Sequence, residues 1–399
     1  MKVLVVASSV YTKSLPNGSI TGLAVMVRDI YDEVSKHCDV VLWASQAVLP
    51  QETVSDTFLI LSSGVKSWSK GIRIRDVFKA FGHTQFSVRG MKADLRKIAH
   101  KRLQHKEFRR IVNEVKPDIV SFHDFDDLNT ELMQYCHQQG IKAVITNHLY
   151  IGHAEGCSNY DYSRRNEKIL LSQPELKVSV ISTGMKRRMM QDYPTLKSEN
   201  VYITLDGTSF MASDLPHKKE EGQRKILLCV ANVMERKNQI QLVRSLSLFD
   251  KEYRNPFVVY FLGSDPKGML VKAIEQYRCA DVAVYKGKVR PKEMTDYYSN
   301  AFATITTTLC EGFGLTMIEG YAYGLPAILP NDIDSFDDIY DEKCAVAING
   351  RKDEDIVAAI KQCLDTEWDT EFIKARSQQF TMDKVAAEYV DVYKDIIKK

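Results

Sequence analysis

The sequence runs through one pattern twice. Short apolar runs alternate with segments of helical periodicity, first up to Thr204 and again from Lys225. Val3–Ala7, Val40–Trp43, Thr57–Leu61, Asp118–Phe122, Ala143–Thr146, Val178–Ser182 and Val201–Thr204 read as the strands of the first series. Lys225–Val230, Phe257–Leu262, Val282–Tyr285, Phe302–Thr306 and Ala327–Leu329 read as those of the second. A strand such as Val3–Ala7, apolar on both faces, belongs in a parallel sheet covered by helices on each side. Helices are expected from Gly22, over Lys92–Glu114, Gly184–Met190, Asn238–Phe249, Lys292–Asn300 and Asp353–Leu364, and finally over Asp383–Ile397. This alternation is that of a doubly wound α/β domain. A chain of 399 residues has room for two. The polar stretch Met211–Arg224, with a proline and a glycine, reads as the linker between them. Residues 1–210 and 225–380 are therefore expected as two Rossmann-like domains.

Composition excludes several classes. Hydrophobic residues make up 44% and charged residues 27%, the balance of a globular protein. No apolar run approaches the roughly 20 residues of a membrane span. Met1–Val10 reads as a first strand, not a signal peptide. Eight cysteines without a Cys-x-x-Cys pair read as free thiols in a reducing cytoplasm.

The stretch Thr308–Tyr323, TLCEGFGLTMIEGYAY, carries the chemistry. A buried strand precedes it, a glycine turn interrupts it, and helical periodicity follows through Leu315, Ile318 and Ala322. The turn's N–H groups and the helix N-terminus converge on one spot, which suits an anion or a ring of hydroxyls. Glu311 falls in the loop and Glu319 in the second helical turn, eight positions on. This stretch resembles the signature of retaining GT-B glycosyltransferases of family 4. The resemblance implies that Glu311 lies against the transferred sugar and that Glu319 binds the ribose of a nucleotide-sugar. It implies that Gly312, Phe313, Gly314, Leu315 and Thr316 lie along the donor. It also implies that the terminal helix, 381–399, crosses back to the first domain.

Other pieces of the resemblance fall in order along the chain. Gly22 matches the glycine loop that approaches the diphosphate or the acceptor. His123, in PDIVSFH, follows a strand end, where ligands bind open α/β sheets; the family has a histidine there beside the sugar–phosphate bond. His148 has a similar placing after ITN and is assigned to the acceptor face. In VANVMERKN the family carries a glycine–arginine pair and a lysine five positions after the arginine. Lys237 fits the lysine, but the arginine position holds Asn232, and Arg236 is the candidate replacement. A cation here neutralises the departing diphosphate. Lys288 falls in the loop that cups the base. Each lone residue has a plainer alternative: a solvated loop for His123, His148 and Lys288, a solvated helix start for Arg236 and Lys237. Asp124-Phe125-Asp126 has the DxD spacing of a metal site but reads as a charged loop, because the resemblance implies no metal; no cofactor is expected.

Residues 64–116 hold 15 Lys/Arg against 4 Asp/Glu, a charge of +11 in a chain of net +2. Trp68, Ile72, Ile74 and Phe78 interleave with Lys66, Lys70, Arg73 and Arg75, a pattern that suits an anionic membrane surface. The expected activity is transfer of a hexose or N-acetylhexosamine from a nucleotide-sugar, UDP-linked, to a hydroxyl on a glycan or lipid-linked acceptor. It would serve envelope or polysaccharide synthesis at the inner face of the membrane. The alternatives are a nucleotide-sugar 2-epimerase, transfer to a soluble protein or metabolite, a non-catalytic lectin-like subunit, and a nucleic-acid-binding protein. The basic block lacks the stacking aromatics or helix-turn-helix that would support the last, so no nucleic acid is expected as a partner.

Overall fold

The computed structural model describes residues 1–8, 10–12, 22–46, 51–63, 88–150, 160–210 and 224–399. The first unit opens with β1 (Lys2–Ala7), α1 (Gly22–Val34), β2 (Asp39–Ala44), β3 (Glu52–Ser55) and β4 (Phe58–Ser62). It continues through α2 (Val88–Val115), β5 (Ile119–His123), α3 (Asp127–Gln138), β6 (Ala143–Asn147) and α4 (Tyr160–Leu171). It closes with β7 (Val178–Val180), α5 (Thr183–Asp192) and β8 (Val201–Ile203).

The second unit runs β9 (Lys225–Val230), α6 (Gln239–Leu246), α7 (Lys251–Arg254), β10 (Phe257–Leu262), α8 (Met269–Gln276), β11 (Ala283–Gly287), α9 (Pro291–Ser299) and β12 (Ala303–Ile305). Then follow α10 (Leu315–Ala322), β13 (Ala327–Pro330), α11 (Phe336–Ile339), β14 (Ala345–Ile348), α12 (Asp353–Asp365), α13 (Thr370–Ser377) and α14 (Met382–Lys398).

The strands form two sheets, ordered β3-β4-β2-β1-β5-β6-β7-β8 and β11-β10-β9-β12-β13-β14. Every pairing is parallel except the edge pair β3–β4. In each sheet the order reverses beside the central strand, between β1 and β5 and between β9 and β12. Loops leaving the carboxyl ends of strands at such a reversal splay apart and leave a crevice. The wholly buried strands β5, β6 and β7 show why the first sheet needs helices on both faces.

The terminal helix α14 lies on α1 of the first sheet. Its Val385, Tyr389, Val390 and Tyr393 join Val27, Ile30 and Tyr31 in one buried cluster. Two chain segments cross between the units side by side: Thr208 pairs with Thr381, and the Thr208 N–H donates to Phe380 O at 2.9 Å. Gly207 is required there, since a Cβ would meet the Phe380 carbonyl and the Val385 side chain. A second seam joins α5 to the acidic segment 334–338. The Gly184 N–H donates to Asp334 O at 3.1 Å, the Thr183 N–H to Asp338 Oδ2 at 2.8 Å, and Arg188 Nη2 pairs with Asp334 Oδ1 at 2.7 Å.

Candidate active site

The loops after β6, β7 and β8 of the first sheet face those after β9 and β12 of the second. After β9 the chain tightens into a 3-10 turn, Glu235–Lys237, which is fastened to the β12 loop. Arg236 O accepts from Leu309 N at 2.8 Å and from Thr308 Oγ1 at 3.1 Å, and Asn238 O accepts from Thr307 Oγ1 at 3.1 Å. Asn238 takes a left-handed φ of 55° to turn into α6. So fastened, the turn aims two cations at Glu311. Lys237 Nζ donates to Glu311 Oε2; Arg236 Nη1 donates to Cys310 O at 2.6 Å and lies 3.9 Å from Glu311 Oε1. Burial pushes the Glu311 carboxyl up, but the Lys237 and Arg236 cations outweigh it and hold the group below the usual carboxylate range. Glu311 is thus a buried carboxylate kept charged by its neighbours.

The glycines of the turn answer to steric need. A Cβ on Gly312 would run into the His148 carbonyl across the cleft. Gly314 has φ 99°, a region L side chains avoid, and its Cβ would meet Met317. Ser335 Oγ donates to Phe313 O at 2.5 Å, and Phe313 packs edge-on against Phe380. The turn therefore delivers the N-terminus of α10, at Leu315 and Thr316, to a cavity of about 270 Å³. Arg236, Lys237 and Glu311 line its second-sheet side; Leu23, Met26, His148 and Asp206 line the other. Cations, helix N-terminus and backbone N–H groups on one wall favour a polyanion.

On the first-sheet side the histidines occupy different layers from those expected. His123 is 1% exposed and lies behind the cavity wall. Its Nε2 is 2.9 Å from Tyr31 Oη and its Nδ1 is 2.8 Å from His148 Nε2. His148 is the histidine at the cavity. The reason is positional: His123 is the last residue of its strand and keeps the inward direction of the sheet, whereas His148 is one residue past the end of β6. His148 Nδ1 stands 3.6 Å from Asp206 Oδ1, beyond hydrogen-bond reach. Burial alone would lower the His148 pKa, but the Asp206 carboxylate overrides it and raises it. Burial raises the Asp206 carboxyl, with His148 opposing.

Asp124-Phe125-Asp126 forms the loop after β5, with Phe125 buried and the two aspartates partly buried. Asp124 takes φ 69°, and burial raises its carboxyl against the pull of His148. Asp126 caps α3, its side chain accepting from the Asn129 N–H at 2.7 Å, and burial pushes its carboxyl up to about 6. Among the described residues no group of three His, Cys, Asp or Glu could hold a metal ion.

The remaining expected residues scatter. Asn232 Oδ1 accepts from Ser264 N and Oγ at 2.9 and 2.7 Å, tying the loops after β9 and β10 together. Gly22 is exposed at the start of α1, and Lys288 is exposed just past β11. Glu319 sits on α10 outside the cavity lining and accepts from Tyr298 Oη at 2.6 Å; burial raises its carboxyl, with that bond opposing. Lys66, Lys70, Arg73 and Arg75 lie outside the described residues. Asp206 was missed by the sequence reading, although it follows a strand end, the cue that singled out His123.

Residues 213–379 match the family model for glycosyl transferases group 1. The chain is a glycosyltransferase. No curated protein sequence matches it. Its architecture is GT-B, shared over almost the whole length with solved structures of low sequence identity. The glycosyltransferase is similar to a sucrose-phosphate synthase from Thermosynechococcus elongatus, at 15% identity and a TM-score of 0.73, with 100% of this chain and 99% of that one covered. It is similar to the lipopolysaccharide outer core galactosyltransferase WaaB in its apo form, at 13% identity and a TM-score of 0.68, covering 99% of each chain. It is also similar to an alpha,alpha-trehalose-phosphate synthase (UDP-forming) from Burkholderia xenovorans in complex with glucose-6-phosphate, at 14% identity and a TM-score of 0.69, covering 99% of this chain and 100% of that one. No described helix of the enzyme is long and apolar enough to cross a membrane.

Proposed function

We propose that the enzyme transfers a hexose or N-acetylhexosamine from a nucleotide-sugar, UDP-linked, to an acceptor hydroxyl with retention of the anomeric configuration. The observation that carries this is the Lys237–Glu311 pair, with Arg236 beside it, at the N-terminus of α10. In the reaction the bond from the sugar's anomeric carbon to the diphosphate breaks. A bond from that carbon to the acceptor oxygen forms on the same face, and the acceptor's proton passes to the leaving phosphate. Negative charge grows on the diphosphate, so a cation is worth more in the transition state than in the bound donor. Lys237 supplies it, and Arg236 takes the place of the arginine that Asn232 replaces. Glu311, kept ionised by both cations, lies against the sugar and stabilises positive character at the anomeric carbon. Glu319 takes the ribose hydroxyls. The first-sheet wall, His148 with Asp206, meets sugar hydroxyls.

The uridine donor is supported by the "UDP-forming" activity in the name of one structural neighbour, and a hexosyl group by the galactosyltransferase name of another. We extend the proposal to the acceptor: a glycan or lipid-linked molecule met at an anionic membrane surface through the basic block around Lys66, Lys70, Arg73 and Arg75. Phosphate charge is met by cations and a helix end, not by a metal. The test is a transfer assay over UDP-hexoses and candidate acceptors with excess EDTA present. Nucleoside diphosphate release should depend on acceptor, and the product should be the α-anomer by NMR. Donor turnover to an epimer without any acceptor would replace this reading with an epimerase; full loss in EDTA restored by manganese would replace its charge chemistry.

A further inference from the structure

Three loops of the second sheet meet at one side chain that sugar transfer, as described above, does not use. Arg351 stands in the loop after β14, just past Gly350, whose φ of 132° lies where glycine is favoured. Its guanidinium grips Asp332, in the loop after β13, through two bonds: Nε donates to Oδ2 at 2.8 Å, and Nη2 donates to Oδ1. On its other side Nη1 donates to Thr308 O, in the loop after β12, at 2.8 Å. Both ends of the grip are anchored. Arg351 O accepts from Gln241 Nε2 on α6 at 2.7 Å. The Asn331 N–H donates to Ile348 O at 3.2 Å, and Asp332 O accepts from Arg188 Nη2 on α5 of the first unit at 3.4 Å.

Thr308 begins the stretch that carries Glu311. It is fully buried, and a buried carbonyl left without a donor is costly. From Thr308 onward the loop is fastened to the 3-10 turn. The Leu309 N–H and Thr308 Oγ1 reach Arg236 O, and Arg236 Nη1 reaches Cys310 O. One residue further, Glu311 meets Lys237. Arg351 therefore holds the outer end of a series of contacts whose inner end is the Lys237–Glu311 pair. The side chains of Arg351 and Asp332 are 33% and 51% exposed, and an ion pair so open to water adds little to stability. What the fork adds is direction. A planar guanidinium pinned along one edge by a carboxylate has its remaining nitrogen fixed toward Thr308.

We propose that Arg351 is a positioning residue: clamped by Asp332, it holds the Thr308 carbonyl and so sets the place of Glu311 and of the turn that bears Arg236 and Lys237. Without it the Thr308 carbonyl turns toward water, and the loop draws away from the turn. A lysine cannot take its place, since an ammonium lacks the fork that holds a carboxylate and a carbonyl in fixed directions at once. That the positioned groups act on a nucleotide-sugar rests on the proposed function; the clamp does not.

The test compares the wild type with Arg351→Met, Arg351→Lys and Asp332→Asn. Hydrogen exchange read by mass spectrometry needs no substrate. Peptides covering 306–312, which include the Leu309 N–H, should exchange faster in both Arg351 variants and less so in Asp332→Asn. Peptides of β1, β5 and β9 should keep wild-type protection. In the transfer assay both Arg351 variants should lose kcat by about tenfold, because small displacements of acting groups cost rate steeply; the donor KM should change less. Unchanged exchange at 306–312 in Arg351→Met overturns the proposal. So does faster exchange throughout the chain with a lower melting temperature, which makes Arg351 a prop of the fold. Wild-type exchange in Arg351→Lys assigns the effect to charge alone and overturns the clamp. Loosened exchange with an unchanged kcat overturns the positioning role. Loosened exchange in a protein whose wild type turns over no donor leaves the clamp standing and fails the proposed function instead, so the two results remain separate.

Discussion

At the scale of single residues, the site separates groups that act by charge from groups that act by place. Glu319 is half-buried and already accepts one hydrogen bond, from Tyr298. If it also accepts ribose hydroxyls, Glu319→Ala should weaken UDP binding by about 1–3 kcal/mol, the worth of a charged hydrogen bond. Isothermal titration reads this directly, and unchanged affinity in a folded variant removes Glu319 from the site. Asp126 makes a different prediction. Its folded pKa, about 6, lies above the usual carboxylate value, so the folded state holds the proton more tightly than the unfolded one. Stability contributed by this group is therefore present below about pH 4 and is lost as pH rises through about 6. Asp126→Asn keeps a capping oxygen for α3 without the charge. It should be more stable than the wild type at pH 7.5, by about 1–3 kcal/mol, with the difference vanishing near pH 4. Urea unfolding at the two pH values decides it; equal stability at pH 7.5 would mean that the carboxylate is better solvated than its burial implies. What the sequence could not supply at this scale was depth. His123 and His148 have the same cue, a histidine at a strand end, and which of them reaches the cavity depends on one residue of strand length.

At the scale of elements, legibility followed periodicity. Strands buried on both faces were readable because nothing polar interrupts them, and β9 and β10 fall on the expected residues. β3 escaped because it is half exposed, with burial alternating residue by residue. β14, AVAI, was not read as a strand either. The helix expected from Asn238 begins at Gln239 with Asn238 as its cap, and ahead of it Glu235–Lys237 departs from the expected loop by tightening to a 3-10 turn that reaches the β12 loop. That local departure is what directs Lys237 and Arg236. The seam between α5 and the 334–338 segment was not legible at all, since it joins residues about 150 positions apart. It gives an element-scale prediction. A Cβ on Gly184 would collide with the Asp334 carbonyl, and backbone cannot swing aside as a side chain can. Gly184→Ala should open the seam and separate the units. Small-angle X-ray scattering should show a larger radius of gyration with helix content unchanged. An identical scattering curve would mean that the seam absorbs the methyl group by local shifts.

At the scale of the whole molecule, two sheets with their strand-order reversals facing each other make a cleft whose walls come from different halves of the chain. The repeated alternation made that architecture readable; how the halves meet was readable only through the resemblance. The concentration of positive charge in residues 64–116 belongs to this scale too. If the block docks on anionic lipid, sedimentation with liposomes should rise with anionic lipid content and fall with salt. It should weaken when Lys66, Lys70, Arg73 and Arg75 are changed to glutamine, each cation near such a surface being worth about 1 kcal/mol. Indifference to anionic liposomes at low salt would turn the acceptor toward a soluble molecule. The central claim, that Lys237 and its neighbours receive a nucleotide-sugar, is tested most directly by thermal unfolding of the wild type and Lys237→Ala with a panel of nucleoside diphosphate sugars. A ligand bound to the native state raises the melting temperature. At least one donor, a UDP-sugar, should raise that of the wild type, and the rise should shrink in Lys237→Ala, with turnover falling further still. No rise with any donor at millimolar concentration, or an equal rise in the variant, would contradict the account.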